Sequence, residues 1–464
     1  MKTGTNELDM TRGSILPKMI TFAIPLILTS LLQSLFTTAD LAVVGKFGRD
    51  GALAAVGATT SAANLFLNFL IGVSTGAGVC IARYYGAKDS ENANRCTHTA
   101  VALSVVFGFI AGVAGILICR PMLTLMETPG DIIDNAVLYM QIYFAGFPVI
   151  LLYNFCASIL RAVGDSKRCL YYIATAGVIN VILNLVFVIV FDLNVAGVAL
   201  ATVLSQCVSA FMALRCLLCY DGVLKVDLKK LRIEKRYLKE VTVIGIPTGL
   251  QSSLFGISNV LIQSGVNSFG SAAVAGHIAG HTIDGYINVA TSAIGQTVLN
   301  FTGQNFGAGR FDRIKKIMWR GLMLSCGLSF VLGVIMNIFA QPLISIFTTI
   351  PAEVEVAKIR LLLIGGMFCV AGVMDTFTSL LRGLCKPMLA TAISIFGICI
   401  LRIVWLYTVF AHFNTIVSLY VSYPVTWSVT GIALAIEFAI VFRKCKREYE
   451  KEHQYAYGEK EKCR

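Results

Sequence analysis

Four carboxylates stand inside apolar stretches of this chain: Asp40, Asp284, Asp375 and Glu437. A charged group at the centre of a membrane helix costs about 2.5–3.5 kcal/mol on insertion scales, so each is a functional candidate by default. Asp40, in FTTADLAVVG, has nothing on its own helix to neutralise it. It must take up a proton, bind a cation or meet a partner from another helix. In GVINVILNLV, Asn180 and Asn184 are spaced i and i+4 and share one helix face, and Thr202 follows in GVALATVLSQ. With Asp40 they offer one carboxylate, two amide oxygens and a hydroxyl. That all-oxygen, singly charged set suits a proton or a monovalent hard cation better than zinc or calcium. The alternative is that the amides and hydroxyl bond neighbouring helices, at about 0.6 kcal/mol each.

His277, His281 and Asp284 fall at i, i+4 and i+7 on one helix face. Two imidazoles and a carboxylate form a recognised metal set, but three ligands from one helix do not easily wrap an ion. HIAGH also lacks the Glu of a zinc-peptidase HExxH. The expectation is therefore a polar stripe facing a cleft and contacting substrate or protons, with no metal. Asp375 stands seven residues before Arg382, as Asn154 stands seven before Arg161, and both are weighed as cleft-lining or helix-packing groups. Glu437 is expected to pair with Arg443 or Lys444 at the membrane interface. Cys216 and Cys219 make one CxxC without a second pair, so no zinc ribbon is expected. The chain has no phosphate loop, Ser/His/Asp motif or dinucleotide GxGxxG after a strand. No enzyme and no cofactor are expected, and any transport is passive or driven by an ion gradient.

The elements that must position these groups are membrane helices. The 464 residues are 56% hydrophobic and only 14% charged, far below the roughly 25% charge of soluble domains. About twelve stretches approach the roughly 20 apolar residues that a bilayer core demands. They centre on Leu28, Leu67, Phe107, Val149, Leu183, Leu204, Phe255, Ala290, Leu332, Val370, Ile400 and Ala433. The formal charge of +12 on its own would suit a nucleic-acid binder, but of 38 Lys and Arg, 32 fall in the ends and alternate loops on one side. Five, including Lys358 and Arg360, are assigned to the other side, and Arg402 lies within a span. The positive-inside rule makes both termini cytoplasmic in a multi-pass protein of the plasma membrane, with no nucleic-acid partner.

The longest polar segment, residues 220–240, is expected to be a cytoplasmic linker, either partly an amphipathic helix on the inner leaflet or a solvated loop. The stretches flanking it repeat. Ile24-Pro25 to Gly48 matches Ile246-Pro247 to Gly270; RYYGA from Arg83 matches QNFGA from Gln304; and YNFCASILRAVG around Asn154 matches MDTFTSLLRGLC around Asp375. The expected architecture is all-α, with two six-helix lobes in parallel repeat. They are an amino-terminal lobe over 1–219, the linker 220–240, a carboxyl-terminal lobe over 241–442 and a cytoplasmic tail over 443–464. Such repeats suit alternating access by rocking around a central cleft, though a channel or receptor can be duplicated too.

The paired Ile-Pro helices, the Asp of the first span followed by VGKFG and ALAAVG, the RYYGA and QNFGA pair, ILRAVGDSK from Ile159 and LLRG from Leu380 together resemble the multidrug and toxic compound extrusion (MATE) transporters. The resemblance covers nearly the whole chain. It implies a monomeric bilobed antiporter that exports organic, often cationic, amphipathic compounds in exchange for sodium or protons. It also implies that Asp40, Asn180 and Thr202 occupy the family's amino-lobe cation site. Asn184 stands where sodium-motif members commonly carry Asp, which favours protonation of Asp40. Another branch has a Glu in the seventh span; here QSSLFGIS from Gln251 has none, and only the tenth-span carboxylate, Asp375, remains. A lipid-linked saccharide flippase of the same architecture, or an uncoupled channel-like or sensory protein, is the alternative.

Overall fold

Long runs of Leu, Ile, Val, Ala and Phe with few charges can satisfy their backbone in a bilayer only as helices. The computed structural model describes residues 7–49 and 51–462, and every regular element among them is helical. Lys2, counted above with the amino-end charges, and the last two residues of the tail lie outside the described residues.

The order is α1 (Ile15–Phe47), α2 (Ala52–Gly86), α3 (Ser90–Leu125), α4 (Ile133–Ala145), α5 (Phe147–Ala162), α6 (Lys167–Val190) and α7 (Asn194–Leu218). There follow α8 (Lys235–Asn267), α9 (Ser271–Gly307), α10 (Phe311–Ile338), the short α11 (Ala340–Ser345), α12 (Pro351–Leu363), α13 (Phe368–Gly383), α14 (Pro387–Phe413) and α15 (Ile416–Lys462). Among the described residues ten spans are long and apolar enough to cross a membrane, α12 and α13 counting as one, and the α4/α5 pair, bent by 48°, makes an eleventh. The remaining long helix, α9, has 37 residues but carries His277, His281, Asp284 and Asn288 in its first half, which keeps it out of that apolar group. Phe109, Ile110, Val113 and Leu117 of α3 stay exposed, as lipid-facing side chains do.

The helices form two compact units. One comprises Ile20–Ser253 with the stretch ending at Asp9, the other Met10–Met19 with Leu254–Arg464. Each unit thus holds the opening turns of the helix that begins the other repeat, and the division falls inside α8 rather than in the 220–240 segment.

Within the first unit, Gly72 and Gly76 of α2 face Gly245 and Gly249 of α8. A methyl group on Gly76 would lie 2.7 Å from the Gly245 nitrogen, so only glycine permits this approach. The RYYGA motif holds the same segment: Arg83 Nη2 lies 2.7 Å from Glu240 Oε2, and the Tyr84 hydroxyl donates to that oxygen at 2.8 Å. In the second unit the matching motif and the residues after it hold the segment that leads into α1. Gln304 Oε1 accepts from the Met10 nitrogen at 3.3 Å, and Asn305 Nδ2 donates to the Met10 carbonyl at 3.1 Å. Arg310 and Arg313 reach the Thr11 and Gly13 carbonyls at 2.9 and 3.0 Å.

Residues 220–234 form an irregular strap with one 3-10 turn, Leu228–Lys230, tied to the start of α3, and residues 235–240 are the first turns of α8. Asn94 Nδ2 donates to the Val223 and Lys225 carbonyls at 2.8 and 2.9 Å, and the Asp227 amide donates to His98 Nε2 at 2.9 Å. Glu234 takes Arg95 Nε at 3.1 Å and Nη2 at 2.7 Å, a two-point bond, and the pairing holds its carboxyl below the usual range. The lipid-facing or solvated expectation missed this because single-sequence periodicity carries no information about hydrogen bonds to a distant helix.

Candidate functional site

In the first unit Asp40 sits on the outer half of α1, and the helix pair α6/α7 brings its partners to it. Asn184 Nδ2 donates to Asp40 Oδ1 and lies 3.4 Å from Asn180 Oδ1. The Thr202 hydroxyl is 3.5 Å from Asp40 Oδ2, but its proton goes to the Val198 carbonyl at 3.0 Å. The i, i+4 spacing of the two asparagines does put both amides on the face that meets α1. Directly beyond Asn184 the helix widens into a π-helical turn, Val186–Val190, a distortion common beside functional groups.

Asn180 and Asn184 are buried, and Asn184 Oδ1 has no hydrogen-bond partner. An amide oxygen next to a carboxylate can accept from a proton donor or ligate a cation, and leaving it buried without either costs on the order of 1–3 kcal/mol. Tyr139 and Tyr143 of α4, stacked at 6.2 Å, stand within electrostatic reach of Asp40. Sequence reasoning missed them; their i, i+4 spacing was the available signal. Thr37 and Thr38, by contrast, spend their hydroxyls on the Gln33 and Ser34 carbonyls of their own helix.

The second unit carries a different cluster. Arg360, counted above with the charges of the other side, is buried in the fold at 2% exposure, carried by α12. Its Nε lies 2.9 Å from Asp284 Oδ2, its Nη2 2.9 Å from His281 Nδ1 and its Nη1 3.4 Å from His277 Nδ1. Hydropathy counting could not show this burial because a stretch opening with Glu353, Glu355, Lys358 and Arg360 reads as a polar loop. Ala279 and Ile283 of α9 pack against Val354, Ala357 and Leu361 of α12, fixing the two helices side by side, and a methyl on Gly280 would meet Arg360 Cδ at 2.9 Å.

His277 and Asp284 are thus buried pairing groups, and His277 Nδ1 is 3.0 Å from the Tyr420 hydroxyl; of the three, only His281 is exposed. Among the described residues no three His, Cys, Asp or Glu side chains are grouped to hold a metal. Asn154 donates to the Ile150 carbonyl of its own helix at 2.8 Å, and half-buried Asp375 has the Arg382 charge as its neighbour rather than the Asp284 cluster. Glu437 has no ion pair within 4.0 Å among the described residues, so the expected pairing with Arg443 or Lys444 is not formed.

The MatE family matches the chain twice, over residues 25–186 and 247–408, together more than half its length. The chain belongs to the MatE family. The offset of the two matches, 247 against 25, is the 222-residue shift of the Ile-Pro repeat. This MATE chain is 27% identical over 447 residues to the probable multidrug resistance protein YoeA of Bacillus subtilis, covering 94% of this chain and 96% of that one. It is 24% identical to the FAD transporter of Shewanella oneidensis, over 86% and 88% of the two chains. Its fold matches the structure of a multidrug resistance MATE family transporter in an outward-facing conformation with a TM-score of 0.89, at 19% identity and over 96% and 99% of the two chains. The chain is a multi-pass membrane protein of a transporter family.

Proposed function

We propose that this MATE chain is a secondary antiporter of the plasma membrane. It exports organic, often cationic, amphipathic drugs or metabolites in exchange for H+ or Na+, working as a monomer with both termini cytoplasmic and no cofactor. Its two repeats rock to expose the substrate alternately to each side. Efflux rather than flipping of a lipid-linked saccharide is supported by the multidrug name of YoeA, and coupling is supported by the residues of the first unit.

The observation that carries the reading is the Asp40–Asn184 pair. A primary amide is both donor and acceptor. Its Nδ2 serves the charged carboxylate, and its unpartnered Oδ1 could accept from the protonated form after the amide rotates. Asp40 therefore has a satisfied partner in either charge state, which a proton-coupling group requires. A sodium ion would instead draw on the same oxygens, Asp40, Asn180 Oδ1 and Asn184 Oδ1, with a single negative charge. The deciding experiment is ethidium efflux by the purified protein in proteoliposomes under an imposed pH or sodium gradient. One gradient drives accumulation in the wild type, and Asp40→Asn abolishes it; equal transport by that variant under both gradients would sink the reading.

A further inference from the structure

Arg402 lies within α14, between two π-helical turns, Ile395–Ile400 and Leu406–Phe410, and is 3% exposed. Its Nη1 donates to Ser258 Oγ at 3.1 Å and Asn259 Oδ1 at 3.3 Å, both on α8. The guanidinium lies 4.2 Å from the centre of the Tyr423 ring, whose other neighbour at 5.6 Å is Arg360. No carboxylate comes within 4.0 Å of Arg402 among the described residues, and the one carboxylate of the cluster, Asp284, is committed to Arg360. The cluster therefore holds two guanidinium groups against one carboxylate, deep in a membrane protein, where an uncompensated charge is expensive. Neutral hydroxyl, amide and ring partners reduce that cost without cancelling the charge.

The geometry of the guanidinium is specific. Arginine presents two bidentate edges; here Nη1 is used, and Nε, one end of the side-on edge it forms with Nη2, is buried with no hydrogen-bond partner among the described residues. That edge matches the spacing of two oxygens of a carboxylate or phosphate. The surroundings reach the surface of the unit at Asn259 and His281, both exposed. Asn259 is the weaker of the two Nη1 acceptors by distance and is itself exposed.

We propose that the second unit binds the anionic group, a phosphate or carboxylate, of an amphipathic substrate through the side-on edge of Arg402, with Arg360 and Tyr423 supporting it. This rests on the transport reading above and deepens it: the compounds handled include amphiphiles with an acidic group, not organic cations alone. The Asp284 carboxylate, being neutralised by Arg360, offers a cation no comparable partner in this cluster.

Riboflavin and riboflavin 5′-phosphate share one aromatic ring system and differ by a phosphate, so they isolate the anionic contribution. Equilibrium binding of each to the purified full-length protein in detergent should favour the phosphate ester by about tenfold or more, as a charge-assisted bidentate contact implies. In Arg402→Gln the ratio should fall toward one, and Arg402→Lys should retain part of it. If the Gln variant does not fold, the wild-type ratio and the Lys variant still decide. Equal affinity for both compounds in the wild type overturns the proposal. So does parallel loss of both on substitution, which marks a structural role. Competition by inorganic phosphate as strong as that by the ester also overturns it, assigning the site to a free ion. Wild-type ethidium efflux in proteoliposomes is scored separately: its failure removes the antiporter reading, whereas its success with no preference for the ester removes only this one.

Discussion

Arg360 on α12 and Asp284 on α9 meet with Nε 2.9 Å from Oδ2, each only 2% exposed, so the one carboxylate of α9 is neutralised by a cation from a different helix. This pair fixes how the second unit is charged: Asp284 is not a free coupling site, and the next guanidinium, Arg402, is left without an acid.

Cutting this pair on one side should be severe. Asp284→Asn or Arg360→Gln leaves a buried charge uncompensated, which costs about 3–5 kcal/mol in comparable pairs. The double variant Asp284→Leu/Arg360→Met should be milder than the sum of its single changes. Thermal unfolding of the detergent-solubilised protein, followed by size-exclusion fluorescence, measures this; additive losses would show that the two groups do not act as a pair.

Asn184→Asp adds a second carboxylate to the Asp40 cluster. With charge doubled around the same oxygens, sodium should compete better with protons, and efflux in proteoliposomes should become more sensitive to a sodium gradient. Asn184→Ala removes the donor to Asp40 and should weaken coupling under either gradient. A variant Asp as insensitive to sodium as the wild type would count against Asn184 as part of the ion site.

Gly76→Leu or Gly245→Leu should destabilise the first unit by forcing α2 and α8 apart, because even a methyl at Gly76 would lie 2.7 Å from the Gly245 nitrogen. The expected result is loss of monodisperse protein after extraction. The neighbouring Gly57, which has open space around its missing side chain, should tolerate alanine and serves as the control.

The strap over 220–234 should loosen in acid. Arg95, and after it Arg232, holds the Glu234 carboxyl below its usual range by hydrogen bonding and charge. A depressed folded-state pKa contributes stability above the unfolded value and loses it as pH falls through the folded one, so the strap is firm at neutral pH and loosens only as pH falls below the ordinary carboxylate range. Hydrogen exchange over residues 223–234 should rise on Glu234→Gln at neutral pH, and the wild type should approach that behaviour on acidification. Unchanged protection in the variant would rule out this clamp.

The helical architecture and the repeat were legible because lipid demands long apolar runs and because duplication leaves matched motifs. Asn180 and Asn184 were legible from helical spacing alone, and the structure brings both to Asp40 as that spacing suggests. Arg360 was not, since charged residues just inside a span look like the loop before it, and only the packing of α12 on α9 shows which way its side chain turns. Tyr139 and Tyr143 were missed because an aromatic pair in an apolar helix has no distinctive signature. The strap was missed because its order comes from Asn94, Arg95 and His98, more than a hundred residues earlier in the chain.

The exchange of opening turns between the repeats sets what a half of this protein could be. A polypeptide covering only the second repeat would lack the Met10, Thr11 and Gly13 carbonyls that Asn305, Arg310 and Arg313 engage. One covering only the first would lack the Glu240 carboxylate that Arg83 and Tyr84 engage. Cutting the chain between the repeats would remove these anchors from both halves, and a single repeat with this arrangement could recover them only by lending its leading segment to a second copy of itself, as domain-swapped dimers do.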